Sequence, residues 1–400
     1  MVFGIRLYAL RNKKAAQWIH DRKVLKNTLF AQVRDLSPEK QVIWFHCASL
    51  GEFEMAKPII EEIRKNRAFT DSIVVTFFSP SGYRNALKYD NVDVYGYLYP
   101  DTSANAKRWI KLLNPDIVIW IKYEYWAHHL YEAKKSGAKL ILANAQFSQK
   151  QIYFRYLKSW YLPILKSFDK IFTLDIAASN VLKNHGLTNA QVSGDTRIDR
   201  VIDNANSSFN VQLIHRFATQ RQTIVLGSVW PEDMEIIGPT LPPLLKKYNF
   251  VIAPHEVSEH HIVSLLASLP ELSCRYSKLS LDADISEFRI MIIDNVGMLS
   301  KLYRVGIMAY VGGAFGKGLH NILEPLAYGI PVIFGPKISG RTEARDAVNA
   351  GFGKSIRNSS EFVKAVESYT SNSGIKSEIL AYLQANKGAT GSICQYTFNV

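Results

Sequence analysis

Short, nearly continuous apolar runs alternate with helical patterns along the first half of the chain: Val42–His46, Ile73–Phe77, Asp116–Ile121, Lys139–Ala143 and Lys170–Thr173. Runs without polar alternation belong to parallel strands covered on both faces. A polar stretch, Asp203–Asn210, then predicts a linker. The alternation restarts at Gln222–Gly227, Phe250–Ala253, Arg289–Ile293, Gly306–Val311 and Pro331–Phe334. The pattern predicts an α/β protein of two doubly wound domains, residues 1–202 and 211–400, joined by a linker over 203–210. Ligands in such sheets bind beyond the carboxyl ends of the strands, so two facing domains make a cleft with one substrate on each side.

Length and composition agree with this picture. The 400 residues suffice for two domains, and 47% apolar with 21% charged residues excludes disordered and disulfide-dense classes. No apolar run reaches the roughly 18 residues of a spanning helix. The N-terminus lacks the apolar stretch and cleavage site of an export signal. Cys47, Cys274 and Cys394 are far apart and suggest neither a zinc site nor a disulfide framework, which fits a reducing cytoplasm.

Charge changes the picture more. Residues 1–200 hold 30 Lys and Arg against 18 Asp and Glu, which leaves a surplus of one for the second half out of the total of +13. A basic half suits nucleic acid, an anionic membrane surface or an acidic ligand. Phe3, Leu7, Leu10, Ala15, Trp18 and Ile19 fall at helical spacing among basic residues, the pattern of an amphipathic helix on a membrane or of an ordinary surface helix.

Three constellations in the first half carry candidate chemistry. His46-Cys-Ala-Ser-Leu-Gly-Glu52 leaves a strand and enters a helix, placing Glu52 where a general base or an ordinary helix-start acid would sit. Burial raises such a carboxyl's proton affinity and the helix start lowers it. Trp120-Ile-Lys-Tyr-Glu124-Tyr-Trp126 sets Glu124 among aromatics at the next strand end. In Gly194-Asp-Thr-Arg197, the guanidinium of Arg197 suits an anion or a surface pair with Asp. In the second half, Gly312-Gly-Ala-Phe-Gly-Lys-Gly-Leu-His-Asn321-Ile-Leu-Glu324 is a glycine-rich strand-to-helix turn. Its backbone N–H groups would approach phosphate while Glu324 accepts ribose hydroxyls. The turn is neither a P-loop nor a G-x-G-x-x-G motif. Asp282-Ala-Asp284 reads as a loop, and no spacing suggests a metal site.

Together with Asn144–Ser148, Pro254-His-Glu256 and Val296-Gly-Met298, these motifs resemble, in the same order, those of the 3-deoxy-D-manno-octulosonic acid (Kdo) transferases of lipopolysaccharide synthesis. The resemblance runs from about residue 14 to 385. It implies a metal-independent, inverting glycosyltransferase of the two-Rossmann B type, with no cofactor. Such an enzyme moves Kdo from CMP-Kdo onto the acylated, bis-phosphorylated lipid A precursor (lipid IVA) at the cytoplasmic face of the bacterial inner membrane. By this resemblance Glu52 is the base, Glu124 and Arg197 steady the transition state, and residues 1–202 bind the acceptor. Pro254, His255, Val296, Gly297, Met298, Asn321, Ile322, Leu323 and Glu324 match the CMP-binding segments.

The chain departs from the family pattern at Lys122, Ala127-His128, Gln146 and Pro254-His-Glu256. Two other readings use the same residues: another B-type nucleotide-sugar transferase or a sugar-nucleotide epimerase. A nucleic-acid-binding protein is a third, against which the Lys and Arg residues are dispersed without a recognisable module.

Overall fold

Each half builds one seven-stranded, wholly parallel sheet. The computed structural model describes residues 12–67, 70–122, 124–208, 212–372 and 374–398. The chain divides into two units: Met1–Asp199 with Asn386–Val400, and Arg200–Ala385.

The first unit holds β1 (Gln41–Cys47), β2 (Asp71–Phe77), β3 (Val94–Tyr97), β4 (Ile117–Ile121), β5 (Lys139–Ala145), β6 (Lys170–Thr173) and β7 (Ala190–Val192). They lie in the order β3-β2-β1-β4-β5-β6-β7, so the direction of winding reverses between β1 and β4. Successive side chains point to opposite faces. Trp44, Val74, Val118, Trp120, Leu140 and Leu142 fill one face, while Ile43, Phe45, Ile73, Val75, Ile119 and Ile141 fill the other. Burial on both faces is why these strands read as unbroken apolar runs.

The second unit repeats the plan with β8 (Thr223–Val229), β9 (Asn249–Pro254), β10 (Ser273–Arg275), β11 (Ile290–Ile292), β12 (Met308–Val311), β13 (Val332–Phe334) and β14 (Gly353–Ser355). Its order is β10-β11-β9-β8-β12-β13-β14, with the reversal between β8 and β12.

The boundaries differ from those the sequence suggests in two places. A helix, Thr196–Asn206, runs into the expected linker, because Ile198, Val201 and Ile202 supply a buried apolar stripe. Residues 386–400, expected in the second domain, belong to the first unit. Their helix, Ala389–Phe398, buries Ile393 and Cys394 in one of the two cores of the first unit. It is tethered by the Asp199 carboxylate, which accepts from the N–H groups of Gly388 at 2.6 Å and Thr390 at 2.7 Å.

The helix Lys13–Val24 turns Trp18 and Arg22 inward. The Arg22 guanidinium lies 3.6 Å above the Trp18 ring and 4.5 Å from that of Tyr97, and it donates to the Phe78 carbonyl at 2.9 Å. Trp18, counted in the stripe of a membrane-lying helix, therefore packs against its own unit. Phe3, Leu7 and Leu10 lie outside the described residues. Among the described residues no helix is long and apolar enough to cross a membrane.

Asp199→Ala removes two buried acceptors at once. It is expected to lower the stability of the first unit by about 2 kcal/mol and to speed amide exchange across residues 388–398, as read by hydrogen–deuterium exchange.

Candidate functional site

In a doubly wound sheet the connections on either side of the reversal point diverge and leave a crevice at the carboxyl edge. In the first unit the crevice lies between the ends of β1 and β4, and those ends carry Ser49–Glu52 and, beyond β4, Lys122 and Glu124.

Glu52 sits in the first turn of the helix Leu50–Arg67, is 6% exposed, and accepts from the Ser49 N–H at 3.2 Å. Burial raises its carboxyl most, and the nearby Glu124 carboxylate raises it further. The N–H groups of Ala48 and Ser49 and the Lys122 ammonium pull the other way. Burial wins, and the group is pushed up to about 7. Glu124 is also raised, by its own burial, with a hydrogen bond from Trp126 opposing. Its carbonyl accepts from the Trp120 indole, which fixes the strand-to-helix loop. Lys122 adopts a left-handed backbone, φ 69°, at the strand end, and its N–H donates to the Ala143 carbonyl at 3.0 Å.

A buried polar clasp attaches the third constellation to this crevice. The Thr196 hydroxyl donates to the Met55 carbonyl at 2.6 Å, within the Glu52 helix. It also accepts from the Asn144 amide at 3.0 Å, while Asn144 Oδ1 accepts from the Thr196 N–H at 3.1 Å. Asp195 and Arg197 are thereby brought to the same edge. They form a largely buried pair, with Arg197 Nη2 donating to Asp195 at 2.6 Å and Nε at 3.1 Å. Asp195 stays below the usual carboxylate range: burial opposes this, but Arg197 and Lys122 more than offset it. His46, six residues before Glu52, faces the core instead. It is fully buried, its Nδ1 lies 3.0 Å from the Thr76 hydroxyl, and its ring packs against Trp120.

In the second unit the crevice lies between the ends of β8 and β12. Asp233, fully buried and not singled out from sequence, ties the two ends together. It accepts from the N–H groups of Trp230 at 2.8 Å and Gly313 at 2.9 Å, and from the Tyr310 hydroxyl at 2.7 Å. Its sequence signal was an acid four residues after the strand end, in the first turn of Pro231–Ile237. Gly312 must be glycine, since a Cβ there would sit 2.3 Å from the Ser228 carbonyl.

In the glycine-rich turn several N–H groups are engaged by the protein itself. The N–H of Gly312 donates to Gly227, those of Gly316 and Gly318 to the Gly313 carbonyl, and that of His320 to Gly312. The Gly313 N–H donates to Asp233, so two of these five donors tie the turn to β8 and the helix after it, and three close the turn on itself.

Asn321 donates to Glu324 at 3.2 Å and accepts from the Leu323 N–H at 3.1 Å, while Ile322 and Leu323 are buried. Glu324 faces the buried Tyr303, whose hydroxyl lies against Gly227. Pro254 ends β9, and His255 stacks on Trp230 and on His320. Val296 is 81% exposed, Gly297 takes φ 96°, and Met298 precedes the helix Leu299–Leu302 that packs over Gly227. Asp284 accepts from the Ser286 N–H in a loop, and among the described residues no three ligating side chains converge as a metal site would require.

Two doubly wound units of this kind, each with polar residues at its own reversal point, define the B-type fold of nucleotide-sugar enzymes. UDP-GlcNAc 2-epimerase from Neisseria meningitidis has the same fold, with a TM-score of 0.61 at 14% identity over 90% of this chain and 100% of that one. Residues 23–200 match the family model of 3-deoxy-D-manno-octulosonic-acid transferase (kdotransferase). The transferase of Chlamydophila psittaci is 27% identical over 315 residues, 76% of this chain and 71% of the relative. That of Aquifex aeolicus is 28% identical over 334 residues, 81% and 84% of the respective lengths. The protein is a glycosyltransferase, similar over three quarters or more of its length to Kdo transferases.

Because Glu52 binds its proton more tightly folded than unfolded, its contribution to stability is full below pH 4.5 and lost as pH rises through about 7. The loss is about 3 kcal/mol. Glu52→Gln is expected to raise the melting temperature at pH 8 and leave it unchanged at pH 4, as read by thermal unfolding at the two pH values.

Proposed function

We propose that the protein moves Kdo from CMP-Kdo onto a hydroxyl of the acylated, bis-phosphorylated lipid A precursor, lipid IVA. The anomeric carbon inverts, and Glu52 acts as general base. The observation that carries this reading is the Glu52 carboxyl, buried at the reversal point of the first sheet and poised near neutrality. A sugar hydroxyl is a poor nucleophile, and a carboxylate of that affinity can take its proton as the new bond forms, which typically contributes 10²–10⁴-fold.

The acceptor oxygen bonds to the anomeric carbon as the bond from that carbon to the phosphate oxygen breaks. The electron pair leaves with CMP, and the acceptor proton goes to Glu52. The transition state is oxocarbenium-like. Glu124 keeps the proton affinity of Glu52 high, while Lys122 and Arg197 supply positive charge for the Kdo carboxylate and the acceptor phosphates. Asn321 and Glu324 hold the cytidylate ribose in the second unit, with Pro254, His255 and Val296–Met298 around the base. The reaction as proposed needs neither metal nor cofactor.

The surplus positive charge of residues 1–200 suits an acidic acceptor. We place the enzyme peripherally on the anionic cytoplasmic face of the inner membrane. Supporting this, Ile152, Tyr156, Leu157 and Trp160 are exposed beside exposed Lys150, Arg155 and Lys158. Aromatic and basic residues in company favour a lipid–water interface.

Mass analysis of the product from CMP-Kdo and a tetra-acylated bis-phosphorylated disaccharide tests the reaction. Added Kdo is expected, whereas thermal stabilisation by UDP-sugars alone would overturn the donor. Glu52→Gln is expected to abolish transfer while retaining CMP binding. The wild-type kcat/KM should fall as pH drops through about 7, because the base must be ionised. Substantial turnover by the variant, or an acid limb far below 7, would refute the role. Glu324→Ala is expected to weaken CMP binding about tenfold, and an unchanged calorimetric titration would count against the ribose contact.

A further inference from the structure

Three rings meet at the carboxyl edge of the second sheet, one from the end of each of β8, β9 and β12. His255 lies on Trp230 at 4.2 Å and 23° and on His320 at 4.6 Å and 28°. The Trp230 indole Nε1 is 3.1 Å from His320 Nε2. An indole N–H can only donate, so His320 Nε2 must present its lone pair, and the proton of the neutral ring is on Nδ1. Among the described residues His320 Nδ1 has no hydrogen-bond partner.

Five N–H groups of the adjoining turn are already engaged by the protein: Gly312 on Gly227, Gly313 on Asp233, Gly316 and Gly318 on Gly313, and His320 on Gly312. An anion bound beside this turn gains a further donor from the imidazole. The space next to the imidazole is kept clear by glycine, since a Cβ on Gly313 would sit 3.0 Å from His320 Cδ2.

We infer that Trp230 is a positioning residue, which holds His320 as the neutral Nδ1–H tautomer so that this N–H donates to the phosphate of the bound nucleotide. This rests on the cytidylate reading given above. The surroundings oppose a second proton on His320. Burial acts first, then His255 from the end of β9 and Arg341 before the helix Thr342–Asn349, pushing the ring down to about 4. Lys317 lies 5.6 Å from the Trp230 ring, and Glu256 favours charge on His255. The donor is therefore present across the neutral pH range, and an indole at position 230 specifies which nitrogen carries it.

The test is ¹⁵N NMR of the histidines in the full chain, with His320 assigned from the His320→Gln spectrum, followed by CMP titrations. Wild-type His320 should show a protonated Nδ1 and a bare Nε2 at pH 7 and should not titrate down to pH 5. Trp230→Phe keeps a ring but loses the donor. His320 should then show both neutral tautomers at pH 7, and CMP should bind about tenfold more weakly at pH 8. Should Trp230→Phe fold poorly, His320→Asn, whose amide stands where Nδ1 was, is expected to bind CMP better than His320→Gln. A protonated Nε2 in the wild type, or unchanged CMP affinity in Trp230→Phe at pH 8, would overturn the inference, as would equal binding by the Asn and Gln variants. If CMP binds no variant and not the wild type, while His320 shows the Nδ1–H form, the cytidylate reading fails and the positioning by Trp230 stands.

Discussion

A parallel strand uses its backbone donors and acceptors within the sheet, so chemistry can gather only where two strand ends stop side by side and their connections diverge. Both sheets here have one such place, and the strand orders locate it between β1 and β4 and between β8 and β12. The polar residues that matter most follow from that constraint. Glu52 and Glu124 flank one reversal point, and Trp230 and the glycine-rich turn flank the other.

Each crevice is held open by a buried polar group with several partners. Asp233 accepts three hydrogen bonds that join the end of β8 to the end of β12. Asn144 and Thr196 fasten the Asp195–Arg197 pair to the Glu52 helix. A carboxylate or amide left half-satisfied at zero exposure costs more than the bonds it makes are worth, so such groups admit few alternative geometries. Rigid support of this kind lets a carboxyl such as Glu52 stay desolvated beside a second carboxylate without the loops separating.

Much of this was legible in the sequence, and the failures share a cause. All ten strands expected from apolar runs are present. The four that were not expected, β3, β7, β10 and β14, are the four sheet edges. An edge strand pairs on one side only and can be short and polar, as Ala190–Val192 is, so it carries no continuous apolar signal. The motif residues could be assigned to strand ends, because strand-to-helix turns have a composition of their own. The balance between burial and helix start at Glu52 could not be read, since it depends on how completely the fold excludes water. Nor could the tie between the glycine-rich turn and the carboxylate of Asp233, some 80 residues earlier. The return of the last helix to the first unit was hidden for a similar reason: its partners, among them Lys139 and Asp199, are about 190 to 260 positions away.

That return fixes an order of events during synthesis. The seven strands of the first sheet have all left the ribosome once residue 192 has emerged, yet one of the two cores stays uncovered until residues 389–398 follow, after the whole of the second unit. The unit translated first is the one finished last, and a gene cut between the halves would give neither product the partner that its apolar surface was made to meet.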